Sequence, residues 1–286
     1  MPRLTIRRTK IVATLGPAWS TPDRMHQLLD AGVNVVRINA SHGTPEIREG
    51  WIATLRKVLA ERKDPAAILL DLQGPRIRVG DLPAPLTLTP GQRCVFAPEA
   101  SARKDEIPTT YDDLHKDVKV GATILLDDGL LATTVRAITG ERVEVEVVYG
   151  GQLKSHKGMN LPGIEVSAPA LTEKDREDAA MAARLDLDYV ALSFVRKAAD
   201  LQELRGLLPK SCKLIAKIEK DTALDNLDSI LDASDAVMVA RGDLGVELPP
   251  EEVPLVQKRI VRVARAAGKP VVVATQMLES MITAPS

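Results

Sequence analysis

Aromatic side chains are almost missing: Phe, Trp and Tyr make up 2% of the 286 residues. A core must therefore be built from Leu, Ile, Val and Ala, and a surface that stacks nucleic-acid bases is not expected. Cysteine is equally scarce. Cys94 and Cys212 lie far apart, belong to no metal-ligand or redox spacing, and read as two reduced thiols of a cytoplasmic protein. Neither sign of charge dominates, because 38 Lys and Arg against 39 Asp and Glu leave a net charge of -1. Bulk attraction to nucleic acid or to an anionic membrane is thereby excluded, so any polyanion must be bound by a local cluster. No apolar run reaches the roughly 18 residues of a membrane span, and the basic stretch from Met1 to Arg8 lacks the apolar segment of a signal peptide.

What is there is a rhythm. Hydrophobic residues supply 45% of the chain, enough for one large barrel or for two domains. Lys10 to Gly16 reads as a buried strand, and Ser20-Thr-Pro-Asp23 then opens a helix running from about Asp23 to Ala31. Val33 to His42 follows as a second strand, whose alternation sets Arg37, Asn39 and Ser41 on one face. A helix from about Pro45 to Arg62 leads to a third strand, Ala66 to Gly74, which carries Asp71 near its end. This β-α-β-α-β order is the mark of a parallel sheet covered by helices.

From about Asp81 to His156 the helical period disappears. Short β segments take over at Pro85 to Gly91, Ala122 to Gly129, Leu131 to Ile138 and Val143 to Tyr149, with hairpin signals at Asp128-Gly129 and Thr139-Gly140. After Lys157 the α/β rhythm returns. Thr172 caps an acid-rich helix with Asp175 in its first turn. Strands at Tyr189 to Val195, Lys213 to Ile218, Ala236 to Ala240 and Val271 to Thr275 then alternate with helices to about Leu208, around Leu224 to Leu231, and from about Glu251 to Ala267. The expected organisation is α/β: residues 1–80 form the first part of a barrel with three strands, 81–156 an inserted small all-β barrel, and 157–286 the second part with four more strands. Seven strands are one short of a (β/α)8 TIM-type barrel.

Polar residues gather at the C-terminal ends of these strands: Arg37 to His42, Asp71 to Gln73, Ser193, Lys217 with Glu219, Arg241 to Asp243, and Thr275. A barrel collects such ends at one mouth, whereas an open sheet spreads them along an edge. Two carboxylates, Glu219 and Asp243, suit a hard divalent cation, and Lys217 suits a phosphate. Alone, Lys217 and Glu219 fit an internal salt bridge, Thr275 a strand-end hydroxyl and His42 a surface residue. Together they place too many charges in an apolar interior unless a ligand or metal satisfies them. Arg76 and Arg78 fit either solvated hinge residues or a pair that reaches for phosphates as the β insertion closes over the mouth. Gly242 lets backbone N–H groups approach a bound anion.

Seven segments, in order, carry a resemblance. Thr9 to Ala18, Arg37 to Gly43, Asp71 to Gly80, Lys157 to Gly163, Lys217-Ile-Glu219, Met238 to Glu247 and Ala274 to Met281 are similar to the motifs of the pyruvate kinase family, over essentially the whole chain. The resemblance implies a (β/α)8 barrel with a β-barrel lid, and transfer of the phosphoryl group of phosphoenolpyruvate to ADP, giving ATP and pyruvate. It implies that Glu219 and Asp243 hold Mg2+ or Mn2+, and that Lys217 and Arg37 neutralise the moving phosphoryl group. Gly242 and Asp243 would receive the substrate carboxylate through their N–H groups, and Thr275 would lie near the enolate carbon that takes up a proton. Asn39, His42, Arg78 and Lys157 match positions that contact the nucleotide.

Asn39, Ser41, Asp71 and the backbone of Leu72 match a monovalent-cation site. Potassium-dependent members carry Glu where this chain has Arg76, so the resemblance implies an enzyme that needs no K+, the Arg76 guanidinium supplying the charge. The chain stops at Ser286, before the eighth barrel strand and the C-terminal domain of the family. A piece of a longer cytoplasmic protein is expected, a homotetramer at full length; the alternative is a shortened chain that closes its barrel with another subunit. The rival functions are a Mg2+-dependent lyase of the phosphoenolpyruvate/pyruvate type and a truncated pseudoenzyme that only binds.

Overall fold

Short runs of Val, Ile, Leu and Ala build one parallel sheet. In the computed structural model, which describes residues 8–275, its strands are Val12–Thr14, Val35–Asn39, Ala67–Asp71, Tyr189–Leu192, Lys213–Ile218, Ala236–Ala240 and Val271–Ala274. Each pairs in parallel with the next in that order. Helices Pro22–Asp30, Pro45–Ala60, Glu173–Arg184, Ala198–Arg205, Leu227–Ala233 and Val253–Ala266 alternate with them. Because strand side chains alternate, the sheet has two apolar faces. Val36, Ile38, Ile68, Leu70, Val190 and Leu214 pack into the large core that includes helix residues such as Met25, Leu55 and Ile260. The other face holds Leu69, Ala191, Ile215, Ala236 and Met238, with Val12, Val35 and Val272 against them. This second cluster draws on all seven strands and on no helix, which is the inner layer of a (β/α) barrel.

The segment between the third and fourth of these strands forms two antiparallel-rich sheets. Six strands run in the order Met159–Asn160, Thr123–Leu126, Leu131–Thr139, Arg142–Tyr149, Arg93–Pro98 and Ile107–Thr109, and Leu86–Leu88 pairs with Gly151–Leu153. Phe96, Ile124, Val135, Val143 and Val145 fill a core of its own. The turn after Leu126 carries positive φ at Asp127, Asp128 and Gly129, as its Asp-Gly signal predicts. Several features differ from the sequence reading. Strands Arg93–Pro98 and Ile107–Thr109 and the one-turn helix Leu114–Asp117 occur where periodicity gave no signal: Arg93–Pro98 is buried along its second half without alternation, and the other two are too short for a period. Met159–Asn160, beyond residue 156, belongs to the inserted sheet. The helix around Leu224 to Leu231 is two pieces, Thr222–Asp225 and Leu227–Ala233. Arg241–Glu247, given no element from the sequence, is a short helix that starts where its strand ends.

Thr172 and Asp175 form the expected cap in reciprocal form: each side chain accepts the other's backbone N–H. No helix among the described residues is long and apolar enough to cross a membrane.

Candidate active site

Lys213–Ile218 is a strand buried along almost its whole length, so its one internal charge needs partners. Lys217 finds three. Its ammonium donates to Ser193 Oγ at 2.7 Å and lies 2.8 Å from Glu219 Oε1 and 3.2 Å from Asp71 Oδ1. Arg37 grips the other oxygen of the same aspartate, with Nη2 2.5 Å from Asp71 Oδ2, and its Nη1 donates to Thr14 Oγ1 at 2.7 Å. Groups from the first five strands thus meet at one mouth, as the barrel geometry requires. Burial works to lower the Lys217 pKa, but the carboxylates of Glu219 and Asp71 outweigh it, so the ammonium is held charged.

Glu219 is 2% exposed, and its Oε2 accepts the Phe194 N–H at 2.7 Å. Burial pushes its pKa up, Lys217 opposes the shift, and the negative charge of Asp243 adds to it. A buried carboxylate whose charge is opposed by a neighbouring carboxylate is suited to share a cation with it. Mg2+ is commonly held by one or two carboxylates plus substrate oxygens, so a pair fits, although no cluster of three or more His, Cys, Asp or Glu occurs among the described residues. Phe194 is turned toward Glu219 by a left-handed backbone, φ 56. Gly74 allows that turn: a Cβ there would sit 2.9 Å from the Phe194 ring.

The far side of the mouth is built by Thr275 and the helix Arg241–Glu247. Gly242 N–H donates to Thr275 Oγ1 at 2.9 Å, and Arg241 Nε donates to the Ala274 carbonyl at 3.2 Å. Arg76, Asp128, Arg241, Gly242 and Asp243 line one open cleft here, facing the inserted module.

The nucleotide candidates stand on two elements. Asn39 ends its strand, and His42 lies in the turn beyond it. Arg48, wholly buried, fixes that turn by donating to the carbonyls of Ala40, His42 and Gly43 at 3.3, 3.3 and 2.8 Å. Arg78 and Lys157 sit on adjacent segments at the root of the module, where Arg78 bridges to Gly158. Lys157 Nζ lies 2.7 Å from Asp127 Oδ1, and that hydrogen bond and charge raise its pKa.

One expectation about strand geometry is corrected. The strand stops at Asn39, so alternation does not place Ser41 on its face; Ser41 is in the turn, its N–H donating to Asn39 Oδ1 at 3.0 Å. Leu72 C=O accepts from Ser193 Oγ at 2.7 Å, and Asp71 already lies between Arg37 and Lys217. Among the described contacts, none joins Arg76 to Asn39, Ser41 or Asp71.

The family described as "Pyruvate kinase, barrel domain" matches residues 6–286. The chain belongs to the pyruvate kinase family. A pyruvate kinase from Sporosarcina psychrophila is 44% identical over 284 residues, covering 96% of this chain and 48% of that protein. One from Geobacillus stearothermophilus is 45% identical over 283 residues, with the same coverage. The crystal structure of a pyruvate kinase from Cryptosporidium parvum superposes with a TM-score of 0.92 at 39% identity, covering 96% of this chain and 59% of that one. The chain therefore spans about half the length of the curated pyruvate kinases it matches. Within this pyruvate kinase barrel, sequence reasoning missed Thr14 and Asp71 as partners of Arg37, and Ser193 as a partner of Lys217. Ser193 had a signal, a hydroxyl at the end of an apolar strand; Thr14 had none beyond its position.

Proposed function

We propose that the protein containing this chain transfers the phosphoryl group of phosphoenolpyruvate to ADP, as a cytoplasmic glycolytic enzyme. The observation that carries the reading is the buried Lys217 ammonium set between Glu219, Asp71 and Ser193, with Arg37 on the neighbouring oxygen of Asp71. Such fixed cations in a water-poor mouth act on charge that develops in the transition state.

Lys217 and Arg37 bind the phosphoryl oxygens from two sides. A β-phosphate oxygen of ADP attacks phosphorus, the bond from phosphorus to the enol oxygen breaks, and the enolate takes up a proton at its methylene carbon. Thr275 positions that proton through water, and the N–H groups of Gly242 and Asp243 receive the carboxylate. Glu219 and Asp243 would hold Mg2+ or Mn2+, which when bound offsets charge on the phosphoryl and enol oxygens. Asn39, His42, Arg78 and Lys157 contact the nucleotide, Lys157 coming from the inserted module as it closes and excludes water. The inserted module, residues 81–156 together with the strand Met159–Asn160 that pairs into its sheet, acts as that lid between the two parts of the barrel, and the full-length protein is a homotetramer.

K+ is not required in this reading, because Arg37 and Lys217 already neutralise Asp71 and Arg76 stands where potassium-dependent members carry Glu. The test is pyruvate release from phosphoenolpyruvate with Mg2+, with and without ADP and K+, on the intact protein. ADP-dependent release is expected; its absence in a folded protein overturns the reading.

A further inference from the structure

Glu247 ends the short helix Arg241–Glu247 and is 6% exposed. A carboxylate at that depth must be paired, because an unpaired buried charge costs several kcal/mol. Its partners come from two other segments. Lys220 Nζ lies 2.6 Å from Glu247 Oε1, and Asn160 Nδ2 donates to the same oxygen at 3.0 Å.

All three segments carry a residue of the proposed site. Lys220 directly follows Glu219. Glu247 lies one helical turn beyond Asp243, so a shift of one moves the other. Asn160 belongs to the strand Met159–Asn160, which leaves Lys157 and pairs with Leu126 and Leu125 of the inserted sheet. The next residue after Leu126 is Asp127, the aspartate that holds Lys157. One carboxylate oxygen therefore ties together the strand end with Glu219, the helix with Asp243, and the module with Lys157. The helix is too short to fix its own position, since a helix of seven residues has little stability apart from its tertiary contacts. Lys220 and Glu247 would satisfy each other's charge without Asn160. The Asn160 bond adds no charge neutralisation; it adds an attachment to the module.

We propose that Glu247, Lys220 and Asn160 are positioning residues that clamp the inserted module to Glu219 and Asp243, so that a nucleotide on Lys157 meets the metal at a fixed distance. The proposal rests on the pyruvate kinase reading of the site. A salt bridge that serves stability alone would be indifferent to Asn160. The clamp is not.

The test uses the intact protein and Asn160→Ala, which removes one neutral hydrogen bond and leaves the ion pair in place. The net worth of such a bond corresponds to a KM for ADP raised about five- to tenfold, with kcat changed less than the KM. Amide hydrogen exchange at Met159 and Asn160 should quicken by a similar factor in the ligand-free protein. Asn160→Asp sets a second carboxylate against Glu247 and should be worse than Asn160→Ala on both readouts. Lys220→Met with Glu247→Leu dissolves the clamp without stranding a charge, and in that background Asn160→Ala should have no further effect. Unchanged KM and exchange in folded Asn160→Ala, or effects that simply add in the combined variant, overturn the proposal. If the unaltered protein shows no ADP-dependent turnover, the functional reading fails, and the exchange measurements still decide the clamp.

Discussion

Replacing Lys217 by Met separates the charge of the site from its packing. The apolar stem stays, while the ammonium 2.8 Å from Glu219 and 3.2 Å from Asp71 disappears. Coulomb's law at an effective dielectric of about 20 gives about 6 kcal/mol for the first separation and about 5 kcal/mol for the second. Desolvation offsets much of this, and deleting one partner of a buried pair costs ~3–5 kcal/mol. Asp71 keeps Arg37, but among the described residues Glu219 keeps only the Phe194 N–H. It can escape by taking up a proton. For a carboxyl with an unfolded pKa of about 4.3, that costs about 3.7 kcal/mol at pH 7, which limits the loss.

The sign follows from deleting the charge that opposes burial at Glu219, so its carboxyl rises further in the variant. A raised carboxyl contributes stability that is present below its unfolded pKa and lost as pH rises through the folded value. Lys217→Met should therefore be less stable than the unaltered protein near pH 7, by no more than about 4 kcal/mol because the unaltered protein already bears part of that cost, the gap closing as pH falls toward about 4. Urea denaturation at several pH values measures this. Turnover should fall at least about 100-fold, the scale of losing one preorganised charge contact. A variant with turnover within tenfold of the original, or a stability gap that does not change with pH, would refute the reasoning.

Arg76→Glu should make turnover depend on added K+, with the unaltered protein indifferent to replacing K+ by tetramethylammonium; an unaltered protein that needs K+ contradicts the assignment. Thr172→Ala removes the hydroxyl that accepts the Asp175 N–H at 3.1 Å and should cost about 1 kcal/mol in urea denaturation. Asp175→Ala should cost more, about 2–3 kcal/mol, because the same buried carboxylate also accepts the N–H groups of Thr172 and Gly74 at 2.9 and 3.0 Å. Burial pushes both cysteine thiols up to about 11. Since thiolate forms only as pH approaches that value, iodoacetamide at pH 8 should label the native protein slowly and the unfolded protein fully, as read by mass spectrometry.

Much of the barrel was legible because its strands announce themselves. Apolar runs such as Lys213–Ile218 and Ala236–Ala240 end on charge, and Thr172 with Asp175 marks a helix start by a purely local bond. The inserted module was legible as β from the alternation of Val143 to Val147, buried at every second residue in the structure. Its shorter strands, such as Ile107–Thr109, were not legible: three residues carry no period, and their pairing with Arg93–Pro98 is made by the rest of the sheet.

The sequence by itself determined which residues could do chemistry, since residue type and strand-end position depend only on neighbours along the chain. Lys217, Glu219, Asp243 and Arg37 could be named that way. Only the tertiary structure decided what each one touches. Asp71 stands between Arg37 and Lys217, and Ser193 and Thr14 join them, because parallel strands distant in sequence end side by side. The Glu247 carboxylate met Asn160 and Lys220 for the same reason: burial left it no water, and its partners had to come from whatever elements the fold brought within reach.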